Sequence, residues 1–119
     1  MALSIKPYIE NKERIHLIGI GGVSMNSLGE LLLSRGVPVS GSDRLRTDVT
    51  ARLEALGAKI TYEHKPENVE GASLIVRTAA VHDDNPEIVR AHELGIPVME
   101  RAEAWGHLMR DYDLSLIHI

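Results

Sequence analysis

The residues with the clearest chemical potential are Gly19-Ile20-Gly21-Gly22-Val23-Ser24, which follow the apolar run Ile15-His16-Leu17-Ile18 and precede a leucine-rich segment. A glycine-rich turn between a strand and a helix gathers free backbone N–H groups and the positive helix end at one point, where a phosphate is stabilised. The missing Cβ of glycine lets the backbone approach such a group closely. The run matches the G-x-G-x-x-G dinucleotide fingerprint except at its last position, where Ser24 stands. Asp43 follows about 20 residues beyond the loop, where that fingerprint expects an acid beside a ribose. Two ligand classes fit equally, a nicotinamide or flavin dinucleotide and a UDP-sugar, because both present a diphosphate and a ribose to the same edge of a parallel sheet. The bland alternative is a tight turn at Gly21-Gly22, with Asp43 as a loop cap.

The elements that must position these residues read as repeated βα units. Short apolar runs alternate with amphipathic segments, and glycine or proline marks the joins, which predicts an α/β, Rossmann-like three-layer domain with a parallel sheet of about five strands. The strands are expected at 14–18, 37–41, 59–62, 72–76 and 96–99. A helix over 24–35 would bury Met25, Leu28, Leu31 and Leu32, with Gly36 as its left-handed cap and Pro38 preventing its continuation. A second, capped by Thr47 or Asp48, would bury Val49, Leu53 and Leu56 before Gly57. Asn85-Pro86-Glu87 is a strong helix start, with Asn as N-cap, Pro at the first position and Glu favoured by the dipole; this helix stops at Gly95. A last helix over 101–110 would offer Ala102, Trp105, Leu108 and Met109 to the sheet. The crevice then lies at the carboxyl ends of the first, second and fourth strands.

Several blocks of this order are more specific than the glycine loop. His16-Leu17-Ile18-Gly19-Ile20-Gly21-Gly22, Ser40-Gly41-Ser42-Asp43, Asn85-Pro86-Glu87-Ile88 and Ile96-Pro97-Val98 followed by Arg101-Ala102-Glu103 resemble the N-terminal domain of the Mur ligases. The resemblance covers Arg14 to Arg110 and is strongest to the branch that adds L-alanine to UDP-N-acetylmuramate with ATP and magnesium in peptidoglycan precursor synthesis. It implies that this domain holds the UDP part of the substrate, while ATP and the amino acid belong to domains outside this chain. By position, Ile20, Gly21, Gly22, Val23, Ser24 and Met25 would wrap the diphosphate through backbone N–H groups. Ser42, Asp43 and Arg44 would border uracil and ribose, Thr78, Ala79 and Ala80 would close the other wall, and His64 matches a block beside the same pocket. Ser24 departs from the family's usual glycine. Its Cβ would crowd the diphosphate, or its hydroxyl would help hold it.

None of the lysines is followed by serine or threonine, so a phosphate-binding loop ending in glycine, lysine and threonine is absent from these residues and the chain is expected to bind without ligating. The related ligase that reattaches recycled murein tripeptide is the alternative within the family. An NAD-binding module of an oxidoreductase or regulator is the alternative outside it, and a non-binding structural domain a third.

Bulk properties narrow the field further. The chain has 119 residues, 44% of them hydrophobic, enough for one buried core but not for two full domains. A net charge of -4 opposes nucleic-acid binding, which calls for a basic surface. No stretch approaches the ~20 apolar residues that span a bilayer, so no membrane partner is expected, and the absence of cysteine fits a reducing, cytoplasmic setting. The six histidines are dispersed, without an H-E-x-x-H pair, so no metal is assigned; His82-Asp83-Asp84 reads as solvated cap residues. Arg77 reads as a solvent-facing strand end and Trp105 as core. The segment Leu114-Ser115-Leu116-Ile117-His118-Ile119 breaks the βα pattern and resembles a translated adaptor, so 1–112 is taken as the domain and 113–119 as a non-native tail.

Overall fold

The computed structural model describes residues 4–111; the expected tail at 113–119 lies outside them. A short helix, α1 (Lys6–Glu10), precedes β1 (Ile15–Ile18), α2 (Val23–Ser34), β2 (Val39–Ser42), α3 (Asp48–Ala55) and β3 (Lys59–Thr61). A 3-10 turn (Pro66–Val69), β4 (Leu74–Arg77), α4 (Pro86–Leu94), β5 (Val98–Glu100) and α5 (Arg101–Asp111) complete the order. All strand pairs are parallel, in the spatial order β3-β2-β1-β4-β5. The chain therefore reverses its direction of travel across the sheet between β1 and β4, and such a switch point opens a crevice at the carboxyl ends of those strands.

Alternation along β1 divides the core. Ile15 and Leu17 join Leu28, Leu32, Leu53 and Leu108 on one face of the sheet. Ile18 joins Val69, Ile75, Ile88 and Ala91 on the other, beneath the 3-10 turn and α4. Each fully buried Leu or Ile contributes roughly 1.5–3 kcal/mol relative to exposure. The central strands are buried on both faces, as a covered parallel sheet requires.

Local signals fix the helix ends. Gly36 and Gly95 adopt φ of +78° and +72°, the left-handed geometry that closes a helix. The Asn85 side chain accepts the Glu87 N–H at the start of α4. The Thr47 cap of α3 is a reciprocal box with Thr50, and this box corrects the expected inner stripe of that helix. It sets Thr50 and Leu53 inward, whereas Val49 and Leu56 are exposed. In α5 the inner face is likewise Ala104, His107 and Leu108; Ala102 and Met109 face out, and Trp105 is half-buried against the core.

Candidate functional site

The β1–α2 loop is built around committed amides. The Gly19 and Ile20 N–H groups donate to the Ser42 carbonyl at 2.8 and 3.1 Å, and the Gly22 N–H donates to the Gly19 carbonyl at 3.0 Å. The Gly21 N–H donates to Asp43 Oδ2 at 2.9 Å. The expectation that every amide from Ile20 to Met25 faces a ligand is thus corrected: Ile20 and Gly21 spend theirs on Ser42 and Asp43, at and just beyond the end of β2, and Gly22 spends its own on Gly19 within the loop. Gly21 must be glycine for that contact, since a Cβ there would lie 2.8 Å from Asp43 Oδ2 and 3.1 Å from Thr50 Cγ2. Gly41 does similar work beneath, where a Cβ would stand 2.6 Å from Ile20 Cδ1, so its absence lets the fully buried Ile20 fold back over the sheet.

What remains is the first turn of α2. Gly22 caps it without a side-chain bond, and among the described residues the N–H groups of Val23, Ser24 and Met25 have no acceptor. They border a cavity of about 210 Å³, lined also by Gly19, Gly22, Thr78 and Arg101. Arg101, at the start of α5, makes no hydrogen bond or ion pair among the described residues, and its Nε is buried without a partner. Three donors at a helix N-terminus and one uncommitted guanidinium converge there, an arrangement suited to an anion. Sequence reasoning missed Arg101 as a site residue; the signal available was a lone basic residue directly after the last strand.

A larger cavity of about 830 Å³ lies beyond, lined by Arg44, Tyr62, His64, Ala80 and Asn85 among others. Arg46 covers the Tyr62 ring, its guanidinium carbon 4.5 Å from the centroid. The thirteen expected site residues therefore divide. Gly22, Val23, Ser24, Met25 and Thr78 line the smaller cavity, and Arg44, His64 and Ala80 the larger. Ile20, Gly21, Ser42 and Asp43 support the loop from behind, and exposed Ala79 lines neither cavity. Asp43 is doubly engaged, accepting from Gly21 N at one oxygen and from Leu45 N at 3.2 Å at the other. Arg77 does not end in solvent: it binds Asp83 and the Val81 carbonyl, pinning the β4–α4 loop. This bond and the guanidinium charge hold the Asp83 carboxyl below its ordinary range.

Behind the larger cavity lies a buried polar cluster that the sequence did not announce. Glu87, fully buried, sits between β1, β2 and the segment after β3. Its Oε1 receives His16 Nε2 at 2.5 Å and the Ser42 hydroxyl at 2.9 Å; its Oε2 receives Asn68 Nδ2 at 3.1 Å and His64 Nδ1 at 3.2 Å. Burial pushes this carboxyl up, but the His16, Asn68 and Ser42 bonds outweigh it and hold it below the usual range. Ser40 Oγ lies 2.8 Å from His16 Nδ1 and accepts Arg14 Nε at 3.1 Å. Glu87 stands in the first turn of α4, where the helix dipole favours it as expected, but its side chain points into the molecule, where four donors saturate it.

Among the described residues no group of three histidine or acidic side chains is placed to hold a metal, and no helix is long and apolar enough to cross a membrane.

A doubly wound parallel sheet with a glycine loop and free helix N-terminal amides beside its switch point defines a Rossmann-like class of domain. Within it, residues 14–113 match the profile described as Mur ligase family, catalytic domain, and the chain belongs to that family. It is 46% identical over 107 residues to the UDP-N-acetylmuramate–L-alanine ligase of Clostridium novyi, a match covering 90% of this chain and 23% of that protein. The crystal structure of the UDP-N-acetylmuramate-alanine ligase of Thermotoga maritima superposes with a TM-score of 0.80 at 36% identity, covering 83% of this chain and 23% of that one. The UDP-N-acetylmuramate:L-alanyl-gamma-D-glutamyl-meso-diaminopimelate ligase of Neisseria meningitides gives 0.68 at 25% identity, covering 75% and 28%. The chain thus spans less than a third of the length of these relatives.

Proposed function

We infer that this chain holds the UDP end of UDP-N-acetylmuramate for a ligase that adds L-alanine to it. The observation that carries this reading is the smaller cavity, where the free N–H groups of Val23, Ser24 and Met25 meet the uncommitted Arg101. The diphosphate sits on those donors, and the nucleoside extends past Thr78 toward Arg44, His64 and Ala80 in the larger cavity. Asp43 acts indirectly, by fixing the loop. Amide-bond formation, with its ATP and magnesium, is assigned to parts of the ligase outside these 119 residues, and the setting is cytoplasmic, where that nucleotide substrate and ATP are available together. The alanine-adding branch is favoured over the tripeptide-adding one by the higher identity and TM-score of the Thermotoga structure.

Asp43 does not decide between the UDP-sugar and NAD readings, because its carboxylate accepts two backbone N–H groups and keeps acceptor positions for a ribose. Titration calorimetry of the 119-residue chain with UDP-N-acetylmuramate and, separately, with NAD tests the choice. Saturable heat is expected with the UDP-sugar alone; heat with NAD alone, or with neither, overturns the reading.

A further inference from the structure

The geometry points to Glu87 as a positioning residue that locks His64 in the tautomer with its proton on Nδ1, so that Nε2 meets the larger cavity as a hydrogen-bond acceptor and favours ligands that place an N–H or O–H donor there. The argument is one of donor accounting. The Ser42 hydroxyl spends its single proton on Glu87 Oε1 at 2.9 Å. Glu87, held as a carboxylate, has no proton to give. His64 Nδ1 faces these two oxygens, at 3.1 Å from Ser42 Oγ and 3.2 Å from Glu87 Oε2; were Ser42 to turn its proton to a bare Nδ1 instead, the lone pair of that nitrogen would face carboxylate Oε2, which has no proton to offer. Nδ1 therefore carries the proton, and the uncharged form of the ring keeps a lone pair on Nε2. That nitrogen has no partner among the described residues, while the ring lines the larger cavity with its side chain 18% exposed. His16 and Asn68 strengthen the lock by occupying the remaining carboxylate positions with donors.

This inference rests on the reading of the larger cavity as a nucleoside site, and it gives that site a rule of selection. In a uridine nucleotide the matching donors are the imide N–H of the base and the ribose hydroxyls. Cytosine carries a ring acceptor where uracil carries the imide proton, so an acceptor at Nε2 would face another acceptor.

Two measurements test it separately. Long-range 1H–15N NMR of the 15N-histidine-labelled chain at pH 8, well above the ordinary histidine pKa of ~6.5, should show His64 protonated on Nδ1 with an unprotonated Nε2. Ser42→Ala should keep that state, because Glu87 remains as acceptor, and Glu87→Gln should shift it. An Nε2–H tautomer in the wild-type chain, or loss of the Nδ1–H state in Ser42→Ala, overturns the assignment even if Glu87→Gln does not fold. Calorimetry with UDP, CDP and 2′-deoxy-UDP then reads selection. At least one analogue should bind about tenfold more weakly than UDP to the wild-type chain and equally to His64→Ala; equal binding of all three to the wild type overturns the rule. Failure of UDP itself to bind would instead count against the nucleotide site, with the tautomer result standing alone.

Discussion

At the scale of single residues, Glu87 concentrates most of the consequences. Its carboxyl is depressed in the folded chain because the His16, Asn68 and Ser42 bonds outweigh the cost of burial. A folded value below the unfolded one, ~4.3 for glutamate, means that its stabilisation is complete above that pH and is lost as pH falls through the folded value. The unfolding free energy should therefore decline on acidification below about pH 4.3. Glu87→Gln should weaken that dependence and cost about 3 kcal/mol at pH 7, since an amide must turn N–H groups toward partners that are all donors. Urea denaturation of both proteins from pH 7 to pH 3 checks this; equal acid sensitivity would refute it. None of this was legible in the sequence. A glutamate two residues beyond an N-cap has a sufficient local explanation in the helix dipole, whereas its actual partners stand at positions 16, 42, 64 and 68.

At the scale of elements, the proposed diphosphate site lies on α2, whose exposed first residue separates stability from binding. Val23 is 88% exposed at a helix N-terminus whose cap, Gly22, offers no side-chain bond. Val23→Asp should stabilise the helix by roughly 0.3–1 kcal/mol through the dipole, visible as a small rise in melting temperature. The same carboxylate should repel a diphosphate and weaken UDP binding at least tenfold. A variant that gains stability and also binds UDP as before would remove the phosphate from this turn. The placement of α2 and of its buried Met25, Leu28, Leu31 and Leu32 was legible because helical spacing is a local signal. The capping of α4 by Asn85 and Gly95 was legible for the same reason. The inner face of α3 was not, because the Thr47–Thr50 box rotates Thr50 inward and leaves Val49 outside. The strands were found, but four of the five begin one or two residues later than the apolar runs suggested, since ladder pairing and not hydrophobicity sets their ends.

At the scale of the whole molecule, the βα alternation was enough to give a parallel sheet of five strands, because each unit punctuates itself with glycine or proline. The strand order, and with it the two cavities, depends on pairings between distant segments, β1 with β4 above all. For the same reason the glycine loop announced a cluster of backbone amides but not which of them are free, a matter settled by Ser42 and Asp43 across the loop and by Gly19 within it. Arg101 reaches that site only because β5 lies beside β4 and delivers the start of α5 to it.

The same helix has an optical consequence. Its Trp105, the sole tryptophan of the chain, directs its indole N–H at the Ser24 carbonyl, 3.4 Å away, within the very turn whose amides are free. Indole emission follows the local field, so the protein carries its own unlabelled reporter of whether that turn is occupied. Titration with UDP should shift the emission along a saturation curve that coincides with the calorimetric one, and an unchanged spectrum at calorimetric saturation would place the ligand elsewhere.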